Sequence, residues 1–185
     1  MLAACSTPFT GASGKSATAT PAPKDPTAYA LTTDSSNPAA SLLYAINART
    51  GAKLWQASVN GFIQTAPIVS GGVVYIAGGS LIVSGPGANT STLYAFDTAT
   101  GKIRWQQLIQ GGALSLSTSA PGTLIGVLSQ PASPPHYYKT SVMAFSMSNG
   151  TTIWSTAPVL DIQIHPFAAD ADTLFLTEYH VFGSL

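Results

Sequence analysis

The side chains best suited to metal chemistry gather near the carboxyl end of the sequence. They are three aspartates, one glutamate and two histidines: Asp161, His165, Asp170, Asp172, Glu178 and His180. Carboxylate and imidazole groups are the donors that calcium and transition metals use. The roughly 50-residue repeat of this sequence, however, aligns Asp170 with a turn and His165 with a strand position beside Pro166. We therefore predict a structural role for these residues and no metal site.

Two further patterns suggest catalysis, but their spacing does not support it. Gly14-Lys15-Ser16 resembles the end of a phosphate-binding loop, yet Phe9 stands where that loop needs a glycine. Serine, histidine and aspartate are all present, but no serine lies in the setting of a nucleophile elbow. The sequence therefore predicts no catalytic residues and no enzymatic activity.

Cys5 is the only cysteine, and lipidation is the chemistry that its surroundings indicate. Residues 2–5 (Leu-Ala-Ala-Cys) resemble the cleavage box of a bacterial lipoprotein signal, in which the thiol accepts the acyl-glyceryl group. We interpret residues 1–5 as the remnant of such a signal. Residues 6–27 are rich in Ser, Thr, Ala and Pro, which predicts a disordered tether. We expect an extracytoplasmic lipoprotein, anchored to a membrane of the bacterial cell envelope.

All three tryptophans fall at the same point of one repeated phrase. In each copy an apolar run is followed by a glycine, and the tryptophan comes four residues after that glycine. The residues that define the three copies are Tyr44, Gly51 and Trp55, then Tyr94, Gly101 and Trp105, then Gly150 and Trp154. The spacing between tryptophans is 50 and then 49 residues. A constant period of this length predicts a repeat architecture.

Each copy reads as two hairpins. An apolar strand leads through the glycine to a return strand that carries the tryptophan, because glycine reaches the positive φ of a tight turn. Two more apolar strands follow, separated by turn residues such as Gly71-Gly72 and Pro121-Gly122. Four short antiparallel strands in about 50 residues are typical of a propeller blade. We predict an all-β fold, a β-propeller of four-stranded antiparallel blades with about three blades present, which is an incomplete ring.

The phrase at residues 93–105 (Leu-Tyr-Ala-Phe-Asp-Thr-Ala-Thr-Gly-Lys-Ile-Arg-Trp) resembles the repeat of the PQQ-like (pyrroloquinoline quinone-like) β-propeller family. Copy one is similar, and copy three departs from it at Met143 and Asn149. The resemblance implies a partial propeller over residues 28–185, with blade units centred on the three tryptophans. The segment Val74–Gly79 suggests a kelch-type binding propeller as an alternative, although its Gly-Gly ending does not recur.

The resemblance also implies a second alternative, a fragment of a PQQ-dependent quinoprotein dehydrogenase. Such enzymes need a closed propeller, a cofactor pocket, calcium ligands and commonly an adjacent cysteine pair. This sequence has no cysteine pair and no acidic set that matches the calcium site. We therefore predict no cofactor. We expect a fragment of a longer lipoprotein, because three blades do not close a ring.

Composition and loop content favour a binding role. Seven basic and seven acidic residues cancel, which excludes a nucleic-acid binder. Residues 78–92 and 129–140 are Gly-, Pro- and Ser-rich insertions at equivalent points of successive copies, predicted to emerge on one face. The predicted partner-contact residues of the second insertion are Pro135, His136, Tyr137, Tyr138 and Lys139. We predict a non-catalytic cell-envelope binding or scaffold module with protein partners, which self-associates if the chain is not a fragment.

Overall fold

The fold is entirely β in the part of the chain that the structure describes, as predicted. The computed structural model describes residues 25–33, 41–63, 65–79, 90–118, 121–133, 135–136, 138–169 and 174–180. For Ala113, Thr118, 162–169 and 174–180 it describes the backbone alone. Within these ranges no helix is long and apolar enough to cross a membrane.

The described strands form four antiparallel sheets that follow one another along the chain. The first sheet contains β1 (Thr27–Thr32), β2 (Ser41–Asn47) and β3 (Lys53–Val59), in that spatial order. The fourth sheet contains β14 (Ile162–Ala169) and β15 (Leu174–His180). Each sheet is built from consecutive strands because short connections join antiparallel neighbours.

Each of the two middle sheets has four strand positions, and at one of these positions two short strands take the place of one long strand. Sheet two is formed by β4 (Phe62–Ile63), β5 (Ile68–Ser70), β6 (Val73–Gly79), β7 (Thr90–Asp97) and β8 (Ile103–Gln110). Sheet three is formed by β9 (Ala113–Thr118), β10 (Thr123–Pro131), β11 (Tyr138–Ser146), β12 (Thr152–Ser155) and β13 (Val159–Leu160). β4 and β5 both pair with β6, and β12 and β13 both pair with β11. A proline, which cannot donate to the ladder, lies in each gap.

The boundaries of the sheets differ from the boundaries of the sequence copies. By its sequence, each copy opens on the strand before its glycine turn, and its four strands are predicted to form one blade. The structure instead places the tryptophan strand last in its sheet, as β3, β8 and β12. The next sheet opens with β4, β5 and β6 after Trp55, with β9 and β10 after Trp105, and with β14 and β15 after Trp154 and β13. One sequence copy therefore contributes to two neighbouring sheets, and the blade units are not centred on the tryptophans.

The chain crosses from one sheet to the next at a residue with positive φ. These residues are Gly61 (φ 95°) after β3, Gly111 (φ 126°) after β8 and Asp161 (φ 54°) after β13. Glycine adopts this conformation at little cost, and Asp is among the few other residues that visit it. The left-handed residue redirects the chain away from its own sheet, so the next strand starts a new one.

Trp55 and Trp105 join each sheet to the one that follows it. The indole Nε1 of Trp55 donates a hydrogen bond to the Thr98 carbonyl at 2.9 Å. Trp105 Nε1 donates in the same way to the Met147 carbonyl at 3.0 Å. Thr98 directly follows β7 and Met147 directly follows β11. Each acceptor is therefore the first residue of the turn that leads to the tryptophan strand of the next sheet. We call this repeated arrangement the tryptophan–turn contact.

A glycine in the same turn allows the indole ring to lie against the backbone. A Cβ atom added to Gly101 would lie 2.6 Å from the Trp55 ring, and one added to Gly150 would lie 2.5 Å from the Trp105 ring. Both glycines also have positive φ, at 69° and 75°. Glycine is therefore needed at each turn for its backbone conformation and for the space that the ring occupies.

The core lies between the sheets, and β7 supplies it on both sides. Tyr94 and Phe96 pack in a buried cluster with Leu43 and Val59 of sheet one. The alternate residues Leu93 and Ala95 pack in a second cluster with residues of sheet three, among them Leu124 and Phe145. Burial of both faces of sheet two is what stacking of propeller blades requires.

Replacement of Gly101 by alanine tests how closely the ring fits the turn. We expect Gly101→Ala to cost about 1–2 kcal/mol for left-handed backbone and a further ~1–3 kcal/mol because the Trp55 ring must move. The matched control is Gly122→Ala, since Gly122 also has positive φ (82°) but nothing within 4 Å of its would-be Cβ. Urea-induced unfolding gives both values. Equal losses in the two variants would contradict the close contact.

Candidate functional site

Asp97 holds the turn between β7 and β8 of sheet two. Its carboxylate accepts hydrogen bonds from residues of the turn and from a residue of β8. Asp97 Oδ1 accepts hydrogen bonds from the backbone N–H groups of Ala99 (3.0 Å) and Thr100 (2.9 Å) and from the Thr100 hydroxyl (2.9 Å). Asp97 Oδ2 accepts from Arg104 Nη2 at 2.6 Å. Because Arg104 precedes Trp105 on β8, this ion pair ties the turn to the tryptophan strand.

The charge of Asp97 is favoured by these donors. The Arg104 guanidinium, with smaller contributions from the Thr100 and Ala99 bonds, lowers the pKa of Asp97 from 3.8 to about 2. In sheet one the equivalent residue is Asn47, whose Oδ1 accepts from the N–H groups of Arg49 and Thr50 at 2.9 and 3.1 Å. Both turns therefore use a side-chain oxygen as the hydrogen-bond acceptor. Of the two acceptors, only Asp97 in sheet two carries a negative charge.

Two tyrosines, which the sequence did not single out, extend the tryptophan–turn contact. The Tyr75 hydroxyl donates to the Met147 carbonyl at 3.2 Å, the same carbonyl that Trp105 binds. The Tyr75 and Trp105 ring centroids are 5.9 Å apart, and those of Tyr29 and Trp55 are 5.8 Å apart. Burial raises the pKa of both tyrosines. Tyr29 pairs with Ala45 and Tyr75 with Ala95, so they occupy equivalent strand positions of their sheets. Their spacing differs from the tryptophan period, and for this reason the period does not reveal them.

The predicted partner-contact segment lies where β10 leads into β11, and two contacts fix it to Asp161, the crossover residue after sheet three. His136 Nδ1 lies 2.6 Å from Asp161 Oδ2, and the Asp161 N–H donates to the Tyr138 carbonyl at 2.9 Å. Pro135 is exposed, whereas Tyr138 and Lys139 belong to β11 and are partly buried. The structure therefore corrects the assignment of Tyr138 and Lys139 to a loop. Tyr137 lies outside the described residues.

Other predicted site residues fall outside the described part of the chain or are only partly described. Cys5 and the tether up to residue 24 are in the first group, as are Asp170 and Asp172. His165, Glu178 and His180 are described by their backbone alone. Among the side chains that are described, no three His, Cys, Asp or Glu residues come together as a metal site.

An open cleft of about 480 Å³ lies between sheets two and three beside Trp105. Among the described residues that line it, the only cation is Arg104, which is already paired with Asp97. A quinone cofactor of the pyrroloquinoline type carries three carboxylates and needs cationic or donor groups that are free to bind them. The described residues of this cleft do not fit such a cofactor.

The low pKa of Asp97 predicts an acid-sensitive contribution to stability. Because its pKa in the folded chain is lowered from 3.8 to about 2, this contribution is complete above the higher value and is lost as the pH falls toward the lower one. In Asp97→Asn the turn keeps its oxygen acceptor, as Asn47 shows in sheet one. We expect the wild-type chain to lose more unfolding free energy than the variant over that pH interval. A pH-independent difference, measured by urea unfolding, would contradict the ion pair.

Comparison with known proteins identifies a family. The family model described as outer membrane protein assembly factor BamB, one of the PQQ-like repeat models, matches residues 12–157, which is well over half of the chain. Proteins named outer membrane protein assembly factor BamB, from Escherichia coli (strain K12) and Shigella dysenteriae serotype 1 (strain Sd197), are each 32% identical to the chain over 79 residues. The matched segment is 41% of this chain and 19% of each relative, so the chain spans about a fifth of their length.

Two solved structures are similar to parts of the chain at low identity. BamB from Moraxella catarrhalis has a TM-score of 0.43 and 20% identity, with 62% of this chain and 30% of that chain covered. The quinohemoprotein alcohol dehydrogenase ADHIIG from Pseudomonas putida HK5 has a TM-score of 0.46 and 14% identity, with 73% and 28% covered. These likenesses carry no functional conclusion. On the match of its repeats, the chain belongs to the PQQ-like β-propeller family described as outer membrane protein assembly factor BamB.

Proposed function

We propose that this chain is a non-catalytic protein-binding propeller module of the bacterial cell envelope, which acts as a scaffold in outer-membrane protein assembly. The observation that carries the proposal is the family match over residues 12–157. The ion pairs of the chain support a structural role for its acidic groups. Each carboxylate whose side chain is described is paired, Asp25 with Arg49, Asp97 with Arg104 and Asp161 with His136.

The contact surface proposed for the protein partner is the end of the sheets at which β6 and β10 end and β7 and β11 begin. These strands hold the same positions in sheets two and three, so their ends lie at one end of the stacked sheets. The tryptophan turns lie at the opposite end, because antiparallel strands alternate in direction. We call the first the loop end and the second the turn end.

At the loop end of sheet three, a fixed segment presents exposed apolar groups. The His136–Asp161 pair and the bond between the Asp161 N–H and the Tyr138 carbonyl hold the β10–β11 connection against the crossover. Pro135 is exposed there, and Leu160, which is 45% exposed, lies across from Lys139. A preorganised surface of this kind loses little conformational entropy when a partner binds.

Membrane attachment is proposed to come from a lipid on Cys5, with residues 6–24 as a tether. Residues 25–27, which the sequence also assigns to the tether, instead belong to the folded part, since Asp25 pairs with Arg49 and Thr27 begins β1. The small residues before Cys5 and the Ser-, Thr-, Ala- and Pro-rich composition after it support this arrangement. A tether of this composition lets the propeller contact a membrane-bound partner without embedding any strand of its own.

Site-specific photo-crosslinking in living cells tests the contact surface. A benzophenone amino acid at position 135 should give adducts with a protein of the outer-membrane assembly machinery, because Pro135 is exposed at the loop end. The same amino acid at position 50 is the matched control, since Thr50 is exposed at the turn end. Adducts from position 50 alone, or from neither position, would contradict the proposed surface.

Metabolic labelling with a radioactive fatty acid tests the anchor. Wild-type protein, made from its natural gene, should incorporate the label and sediment with membranes. Cys5→Ala should lose both properties, because Cys5 is the only thiol of the sequence. Label that persists in Cys5→Ala, or absence of label from the wild type, would exclude the lipid anchor and leave the contact surface unaffected.

A further inference from the structure

The residue before the turn glycine differs between the three turns. It is Thr50 in sheet one, Thr100 in sheet two and Asn149 in sheet three. In each turn its side-chain oxygen accepts a hydrogen bond from the N–H two residues further on, at 3.3, 3.4 and 3.1 Å. Threonine and asparagine therefore serve the turn equally well as acceptors. Asparagine brings in addition a chemistry that threonine lacks.

An asparagine followed by glycine can lose its side-chain amide without an enzyme, and asparagine is one of the thermolabile residues of proteins. The glycine nitrogen forms a bond to the asparagine Cγ, since no Cβ obstructs its approach. The bond from Cγ to the side-chain nitrogen breaks, and that nitrogen leaves as ammonia with the proton that the glycine N–H gives up. Solvent water then opens the five-membered ring. One direction of opening gives aspartate, and the other gives isoaspartate, whose main chain is longer by one atom.

The fold keeps the nucleophile of this reaction out of reach at Asn149. The Gly150 N–H donates to the Ser146 carbonyl at 2.8 Å, and Gly150 is buried. A Cβ atom added to Gly150 would lie only 2.5 Å from the Trp105 ring. The Gly150 nitrogen has to lose its proton to solvent and move onto Cγ, and both events require it to leave this place. The reaction therefore proceeds only through the fraction of molecules in which the turn is open.

Opening of this turn also separates sheet three from sheet two at the turn end. Trp105 Nε1 and the Tyr75 hydroxyl, both from sheet two, donate to the Met147 carbonyl of the same turn at 3.0 and 3.2 Å. Gly150 cannot move out from beneath the indole ring while these bonds hold the turn in place. The tryptophan–turn contact between the two sheets is thus the element that controls access to Asn149.

We propose that Asn149-Gly150 is a latent deamidation site, protected while sheets two and three are in contact and modified when that contact opens. Isoaspartate at position 149 lengthens the main chain within the turn, so that Gly150 no longer fits between the Ser146 carbonyl and the Trp105 ring. The contact then does not re-form, and an opening that ends in reaction is irreversible. The proposal rests on contacts between two sheets of the chain and does not depend on the proposed function.

Peptide mapping by mass spectrometry, with aspartate and isoaspartate products separated, is the first test. The full chain is incubated at one mildly alkaline pH, folded in buffer and unfolded in urea. We expect Asn149 to react at least about tenfold more slowly in the folded chain, because only its open fraction reacts. Equal rates in the folded and unfolded chain would overturn the proposal.

A matched pair of variants tests whether the tryptophan is the element that protects the site. Trp105→Phe keeps an aromatic ring and removes the N–H donor to Met147, so Asn149 should react about two- to tenfold faster in the folded chain. Trp55→Phe removes the equivalent donor between sheets one and two and should leave the Asn149 rate unchanged. An unchanged rate in Trp105→Phe, or equal acceleration in both variants, would contradict the role of the contact.

The other asparagine–glycine pair of the sequence, Asn60-Gly61, is the internal reference in these digests. Asn60 follows β3 at the loop end, and its exposed side chain makes no hydrogen bond within the described part of the chain. Its rate should therefore be the same in Trp105→Phe as in the wild type. Equal acceleration at Asn60 and Asn149 would indicate general unfolding and overturn the specific protection.

Asn149→Thr tests whether the modification is irreversible in its effect on the fold. The variant restores the residue type of the other two turns, keeps an oxygen acceptor and cannot form the ring. After long incubation the wild-type fraction that carries isoaspartate at position 149 should unfold at a lower urea concentration than before, whereas Asn149→Thr should not change at this site. A modified wild-type fraction as stable as the unmodified chain would overturn the proposed loss of the contact.

Discussion

The contact of a tryptophan indole with the next turn is the constraint on which the other features of this fold depend. The indole needs a free carbonyl, a glycine with no Cβ beneath the ring, and a turn that keeps one shape. The oxygen of Asp97 or Asn47 fixes that shape by binding the turn N–H groups. The sheets also have to be stacked closely enough for the bond to form. The repeated sequence phrase is the list of residues that meets these requirements.

The repeat unit and the nature of its strands could be predicted because they depend on local chemistry. The apolar run, the glycine turn and the tryptophan of one copy lie within a single short phrase such as residues 93–105, and that phrase recurs after 50 and 49 residues. The boundary between sheets could not be predicted in this way, because either choice of frame gives the same order of hairpins. It depends on the left-handed residues Gly61, Gly111 and Asp161, and the last of these is not a glycine.

The candidate contact segment shows a different limit of sequence reasoning. Composition alone predicts Pro135 and His136 as contact residues, and the structure shows what holds them in place. Asp161, 25 residues from His136, belongs by its neighbours in sequence to the group of metal-type side chains. Its bond to His136 depends on the β11–β13 pairing, which follows an interruption of the outer strand. Long-range pairing of this kind leaves no periodic trace in a single sequence.

The offset between sequence copies and sheets has a consequence for how such a chain can lengthen. Since every copy provides the outer half of one sheet and the inner half of the next, duplication of a copy in tandem adds one whole blade and leaves no strand unpaired. The same holds wherever the duplication begins, because each cut within the repeat is restored by the equivalent part of its neighbour. Propellers with different numbers of blades can therefore arise from one repeat by unequal recombination, with no selection for a particular breakpoint.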